Sequence, residues 1–415
     1  MSVALAESRT ELAAPITAPR IRFRHSKGTG FYLTLRDRVD DYFLRSAESR
    51  FADWTIWTKA AAFFALAIGS YIAILTGRFG LWPMLALANV YGLASLLLAV
   101  NAGHDGAHAA LSPRAWINNA VLYGSFTLIG ADPYLWRMRH VRSHHVFPNV
   151  NGCDIDIDSN LFLRLSPNHP KRRYQRYQHL YAPFVFWIVD IHTVFIQDVH
   201  YLFKRQLANM NDIRHPASAY VNFVLCKLVY LSIVLFIPVL LLPIPWWQVA
   251  IGSVLMSFVS SCAFVYLLIG THFAEATKFP ESNADGVIDG DWAKHAMVTS
   301  LDWNPDSRFA CAIAGGANAH AAHHLFPNLS HRHYRALTPI IVRTAKEFGV
   351  PYNATTFSRM IASHFRFLKR VGRSERPEPA RPAQFVCGDS SIELRDGIWR
   401  MHIHESGDEG EERRR

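Results

Sequence analysis

Four long apolar runs dominate the pattern of hydrophobic and polar positions. Trp57–Gly77 and Leu81–Ala102 are about 21 residues each, and Lys59 is the only charge in them. At roughly 1.5 Å rise per residue, a helix of that length crosses a hydrocarbon core of about 30 Å. A second pair covers Val221–Leu242 and Trp246–Gly270, broken only by Lys227, with Pro243, Ile244 and Pro245 forming a sharp turn between them. The pattern predicts an all-α integral membrane protein with four transmembrane helices in two hairpins. Two weaker stretches are read differently. Ile117–Ala131 is too short to span comfortably and carries Asn118 and Asn119, which suits a re-entrant or surface helix. Ala182–Phe203 contains Asp190, His192, Gln197, Asp198 and His200, too many polar and ionisable groups for a lipid-facing span. It is expected to lie at the interface as an amphipathic helix, its polar side toward the soluble cap.

Composition agrees with a membrane class. Of 415 residues, 50% are hydrophobic, 13% aromatic and only 18% charged, below the quarter or so of soluble proteins. Two hairpins leave both termini and the segment Asn101–Tyr220 on one side. That segment carries 12 Lys and Arg, among them Lys171, Arg172, Arg173 and Arg176, against Arg78 alone in the opposite turns. Positive charge marks the cytoplasmic face, so termini and middle segment are expected there, as in a bacterial inner membrane. The net charge of +10 is then a topology signal; no basic stretch interleaved with stacking aromatics suggests nucleic acid. The expected organisation is a cytoplasmic N-terminal segment over 1–50, a membrane domain over 51–372 with a helical cap from 103–220 and 271–372, and a polar, disordered tail over 373–415. The N-terminal segment shows no apolar stretch followed by a small-residue cleavage site. Five scattered cysteines without CxxC spacing speak against a thiolate metal site.

The candidate chemistry lies in three histidine clusters: His104 and His108; His140, His144 and His145; His320, His323 and His324. Spacings of three and four place imidazoles on one face of a helix, and imidazole is the commonest protein ligand for iron, zinc and copper. The rings of the doublet His144-His145 diverge by about 100° on an α-helix and can serve two different ions. Eight neutral ligands exceed one four-coordinate zinc and suit two ions. Iron is favoured, because nitrogen-rich sites with open positions support oxygen activation. Asp105, Asp154, Asp156 and Asp158 are placed in sequence to orient ligating rings by accepting their other N–H. His331 lies beside the third cluster and is a candidate for a supporting role. Histidines further away, such as His169, His179, His192, His200 and His215, are read as solvated or hydrogen-bonded.

HDGAH, then HVRSHHVFPNVNGCDIDID, then GGANAHAAHHLFPNLSHRHY together resemble the membrane fatty acid desaturase superfamily, with the last stretch the most specific. The resemblance runs from about Trp57 to Val350. It implies two irons held by histidines at a cytoplasmic mouth, under a cap and above four spans. It also implies a ninth ligand after the fourth span, and His272 in Gly270-Thr-His-Phe-Ala-Glu275 occupies that place. The activity implied is oxygen-dependent desaturation of an acyl-lipid or acyl-CoA, with O2 as co-substrate. Members acting near the carboxyl end usually carry Gln at the first position of the third box and a fused cytochrome-b5-like domain bearing HPGG. Here that position is His320 and no HPGG occurs, so the chain resembles the other subclasses. Its electron donor would be a separate ferredoxin or cytochrome b5 type protein. Two other readings stay open: a diiron hydroxylase or ketolase on the same scaffold, and, more distantly, a His-rich metal transporter. A transporter would place ionisable residues near the middle of the spans; here the histidines gather at their ends.

Overall fold

The computed structural model describes residues 20–24, 30–157 and 161–374, together with the backbone of strands Val386–Cys387, Ser390–Arg395 and Ile398–Ile403. The protein is mostly helical. Helix α1 spans Gly30–Ser46, α2 Trp54–Leu75, α3 Leu81–Ala107, α4 Ala115–Leu128 and α5 Pro133–Arg139. A bent pair follows, α6 over Arg173–Trp187 and α7 over Val189–Phe203, then α8 at Ala217–Leu241 and α9 at Trp246–His272. The remaining helices are α10 Trp292–Thr299, α11 Arg308–Ala314, α12 His320–Leu325, α13 Tyr334–Glu347 and α14 Phe357–Arg373.

Helices α2, α3, α8 and α9 are each long and apolar enough to cross a membrane. Asp53 starts α2 by accepting from the backbone N–H of Thr55 and Ile56, so the orphan donors of the first turn are satisfied. Between the spans, α3 meets α9 where side chains are small. A Cβ on Gly92 would lie 2.6 Å from Ser260 Oγ and 2.7 Å from Met256 Cγ, so glycine sets this close approach. Lys227, the one cation in α8, donates to Asp198 Oδ2 and to the Gly130 carbonyl, each at 2.7 Å. Asp198 also accepts from the backbone N–H of Asp132 at 2.8 Å.

The stretch expected to form one interfacial amphipathic helix is instead two, α6 and α7, bent by 69°. Pro183 lies inside α6, and the chain breaks at Ile188. Leu180, Phe184, Phe195 and Ile196 are exposed as expected, but the polar side turns to the spans and not to the cap: Asp198 pairs with Lys227 of α8, and Asp190 N donates to Ser261 Oγ of α9. Ile117–Ala131 corresponds to α4, which packs along the end of α3.

Helix α1, in the segment set apart in sequence by its charge, packs against α13. Phe31, Leu35, Val39 and Phe43 of α1 recur every four residues and are buried with Leu337, Ile341 and Ala345 of α13. Ala319, Ala321 and Ala322, beside the third histidine cluster, belong to the same core. Strand Arg20–Phe23 pairs in parallel with Val287–Ile288. The expected tail lies largely outside the described residues; its described backbone includes the antiparallel pair Ser390–Arg395 and Ile398–Ile403.

Candidate metal centre

Local backbone form decides where each ring points. In the first cluster the end of α3 is α-helical, His108 N donating to the His104 carbonyl at 3.3 Å, and the two rings lie 4.9 Å apart. The second cluster is different. His140–His144 forms a π-turn, closed by His145 N to the His140 carbonyl at 3.1 Å. A five-residue step therefore replaces the four-residue one, and His145 Nε2 comes within 3.1 Å of His140 Nε2. The third cluster lies on α12, whose four-residue step pairs His320 with His324 and leaves His323 on another side.

The result is two groups of four. His104, His108, His140 and His323 offer nitrogens all within 4.8 Å of one another, as do His144, His272, His320 and His324. Within the second, His272 Nε2 lies 3.0 Å from His144 Nε2, 2.9 Å from His324 Nε2 and 2.6 Å from His320 Nε2. His272, expected only by resemblance, thus stands at the centre of its group. His144 and His145 do diverge, their rings 82° apart, but only His144 joins a quartet. His145 sits between the two, its ring 4.5 Å from His323 and 4.4 Å from His324.

The donor set fits metal ions. His104 and His140 are half-buried and the other rings buried, and His108 Nε2, His323 Nε2, His145 Nδ1 and His324 Nδ1 have no hydrogen-bond partner. Unpartnered buried nitrogens are costly unless a cation takes their lone pairs. Burial first, then mutual repulsion, holds His140, His145, His323 and His324 well below the ordinary imidazole range, and His320 is pushed down to about 3. These rings are neutral at physiological pH, the form that ligates. His144 is the exception. Burial pushes it down, but Asp154 and Asp156 outweigh that and raise it.

Supporting groups fix the ring faces. Asp154 accepts from His144 Nδ1 at 3.1 Å and from the backbone N–H of Asn149 and Asp156. Asp156 lies 3.6 Å from His144 Nδ1 and takes a 2.6 Å bond from Arg139. The Thr299 carbonyl accepts from His272 Nδ1 at 2.9 Å, and the Ala317 carbonyl lies 3.2 Å from His320 Nδ1. Asp105 does not meet a box ring: it lies 2.9 Å from His331 Nδ1 and accepts from Ser330 Oγ. Its position on the turn after His104 carries it away from the ring face. His331 in turn meets Lys59 Nζ through Nε2 at 2.8 Å, tying α2 to the segment after α12. Asp158 lies outside the described residues.

Two supports escaped the sequence reading. Trp136 stacks on His140 at 4.5 Å, a contact three residues upstream of Arg139 that the aromatic itself could have signalled. Asp302 accepts from Ala321 N and Tyr352 OH, fixing the start of α12; burial pushes its carboxyl up to about 7, against the pull of the Ala321 N–H. No local motif marks it. His295 bonds the Pro148 carbonyl and His333 the Ser49 carbonyl, both structural roles. His169, His179, His192, His200 and His215 belong to neither quartet.

Comparison with known proteins agrees with this geometry. The family model described as fatty acid desaturase matches residues 79–356. An sn-1 linoleoyl-lipid 6-desaturase of Arthrospira platensis is 28% identical over 361 residues, covering 86% of this chain and 96% of that protein. A probable Delta(5) fatty acid desaturase C of Dictyostelium discoideum is 29% identical over 360 residues, covering 83% and 76%. An acyl-lipid (8-3)-desaturase of Mortierella alpina is 30% identical over 367 residues, covering 84% and 79%. A match over most of the chain, including every histidine of both quartets, makes this protein a member of the fatty acid desaturase family.

Proposed function

We propose that this oxidoreductase is a diiron, O2-dependent desaturase of acyl chains carried on membrane lipid. The observation that carries the proposal is the pair of histidine quartets, each drawing on more than one box. His104, His108, His140 and His323 would hold one iron, with His145 adding a nitrogen at its edge. His144, His272, His320 and His324 would hold the other. When bound, the pair supplies the oxidising power to remove two hydrogens from adjacent carbons while O2 is reduced to two waters, with two electrons and two protons taken up. The chain's own part is positional: Asp154, Thr299 and Ala317 fix the rings, and the buried shell excludes water.

The relatives' names favour a lipid-borne acyl chain over acyl-CoA, since the Arthrospira and Mortierella proteins are named acyl-lipid or lipid desaturases. They also speak against the subclass that His320 suggested. The Delta(5) and 6-desaturase names count from the carboxyl end, whereas His320 suggested a departure from enzymes acting there. Its ring belongs to a quartet, so its identity bears on the metal's ligand field, not on the length of the acyl path. Four spans in two hairpins, with both termini and the centre on the cytoplasmic side, would place the site where a ferredoxin or cytochrome b5 type donor can reach it. The 12 cations of residues 101–220 support that orientation.

Purified protein should hold close to two irons per chain, and His144→Ala or His323→Ala should abolish iron retention and activity. Expressing cells fed saturated and monounsaturated chains should form new double bonds, located by mass spectrometry. Hydroxylated products, or full activity in His144→Ala, would overturn the proposal.

A further inference from the structure

A second built feature lies away from the histidines, where α6 begins. Its first turn, Arg173–Tyr177, is a 3₁₀ turn packed against the last turns of α14. Two buried side chains clamp them together. Gln178 Nε2 donates to the Leu368 carbonyl at 2.8 Å and to the Arg164 carbonyl at 3.1 Å. Arg164 Nη1 donates to the Val371 carbonyl at 2.6 Å. The backbones touch as well, since a Cβ on Gly372 would collide with the Gln175 carbonyl.

This clamp brings together two sets of exposed cations: Arg172, Arg173 and Arg176 from one element, and Lys369, Arg370 and Arg373 from the other. Among the described residues none of the six pairs with a carboxylate; the neighbouring Arg366 does, with Glu275. Like charges held side by side repel, so the surface calls for a polyanionic partner. What lies next to it says which. Tyr174 and Tyr177 are half exposed beside the cations, and Leu180, Phe184 and Trp187 are exposed along the following turns of α6. Cations, then a belt of aromatic rings, then an apolar face within one helix describe the passage from headgroups to acyl chains. A soluble acidic partner would leave that apolar face in water.

We propose that the surface formed by Arg172, Arg173, Arg176, Lys369, Arg370 and Arg373 binds the headgroups of anionic membrane lipid. The site is independent of the histidine quartets, and its binding requires neither iron nor turnover.

The test uses the full chain in nanodiscs of phosphatidylcholine with about a quarter phosphatidylglycerol, followed by mass spectrometry of the lipid that stays with the protein. Phosphatidylglycerol should be enriched over its share of the bilayer. The variant Arg173→Gln/Arg176→Gln/Lys369→Gln/Arg373→Gln should lose the enrichment, by about fivefold for each cation contributing near the surface. Its iron content should be unchanged. On the unaltered protein, raising salt to about 0.5 M should erase the enrichment, because screening shortens to a few ångströms; this arm stands even if the variant fails to fold. No enrichment in the unaltered protein, or enrichment that survives salt, overturns the proposal. So does a well-folded variant that keeps its phosphatidylglycerol, including one that shows only a raised KM for an acidic electron donor.

Discussion

Among the nine histidines of the two quartets and their edge, His144 alone has a raised proton affinity, and the reason is the pair Asp154 and Asp156 behind it. A metal must displace that proton, so metal affinity at the second quartet should fall as pH drops through the raised His144 value. His320, held near 3, adds no such competition near neutrality. Asp154→Asn should lower the His144 value and move this dependence to more acidic pH. It should also weaken metal binding by about 10–100-fold at neutral pH, since a neutral amide replaces the carboxylate that accepts the ring's N–H. Cobalt titrations followed by absorbance at about pH 6 and 8 would check both effects; unchanged affinity in Asp154→Asn would rule out the orienting role. Asp154 was legible in sequence because it follows the box by only ten residues. Asp105 looked equally well placed, but its bond goes to His331. Sequence neighbourhood gives proximity to a ligand, not the direction in which its ring presents a free N–H.

Elements show the same limit from another side. Boxes one and three follow the α-helical spacing read from sequence, whereas box two sits on a π-turn. One extra residue per turn leaves no mark in composition, yet it brings His145 onto His140. Helix α1 was hidden by the charges around it, although Phe31, Leu35, Val39 and Phe43 already carried its four-residue period. The four spans were legible because apolar length alone decides them. Lys227 was legible as an anomaly in α8, but not its partner, which comes from α7 across the bend. Buried pairs respond asymmetrically to loss of one member. Lys227→Ala leaves Asp198 charged and unpaired and should destabilise by about 3–5 kcal/mol. Adding Asp198→Asn should recover most of that, because the amide oxygen can still accept from Asp132 N. Thermal unfolding in detergent would compare the three; equal stability of Lys227→Ala and the unaltered protein would show that the pair carries no load.

For the whole molecule, the quartets join parts of the chain that are distant in sequence. The first takes His104, His108 and His140 from one half and His323 from the other; the second takes His144 from one half and His272, His320 and His324 from the other. Metal bound there stabilises the folded state over any state in which the halves separate, by the logic of ligand linkage. Removing bound metal with a chelator should therefore lower the melting temperature and, in limited proteolysis, open the segments around the quartets before the spans. A melting temperature unmoved by chelation would mean that the cap holds without its ions.

The same arrangement bears on synthesis. Neither quartet is complete until the residues after the last span have left the ribosome, because His320, His323 and His324 follow it in the chain. A half-made chain therefore cannot hold a metal ion in either geometry while the helices are still being inserted. The order of synthesis thus puts the helices first and the completed quartets last.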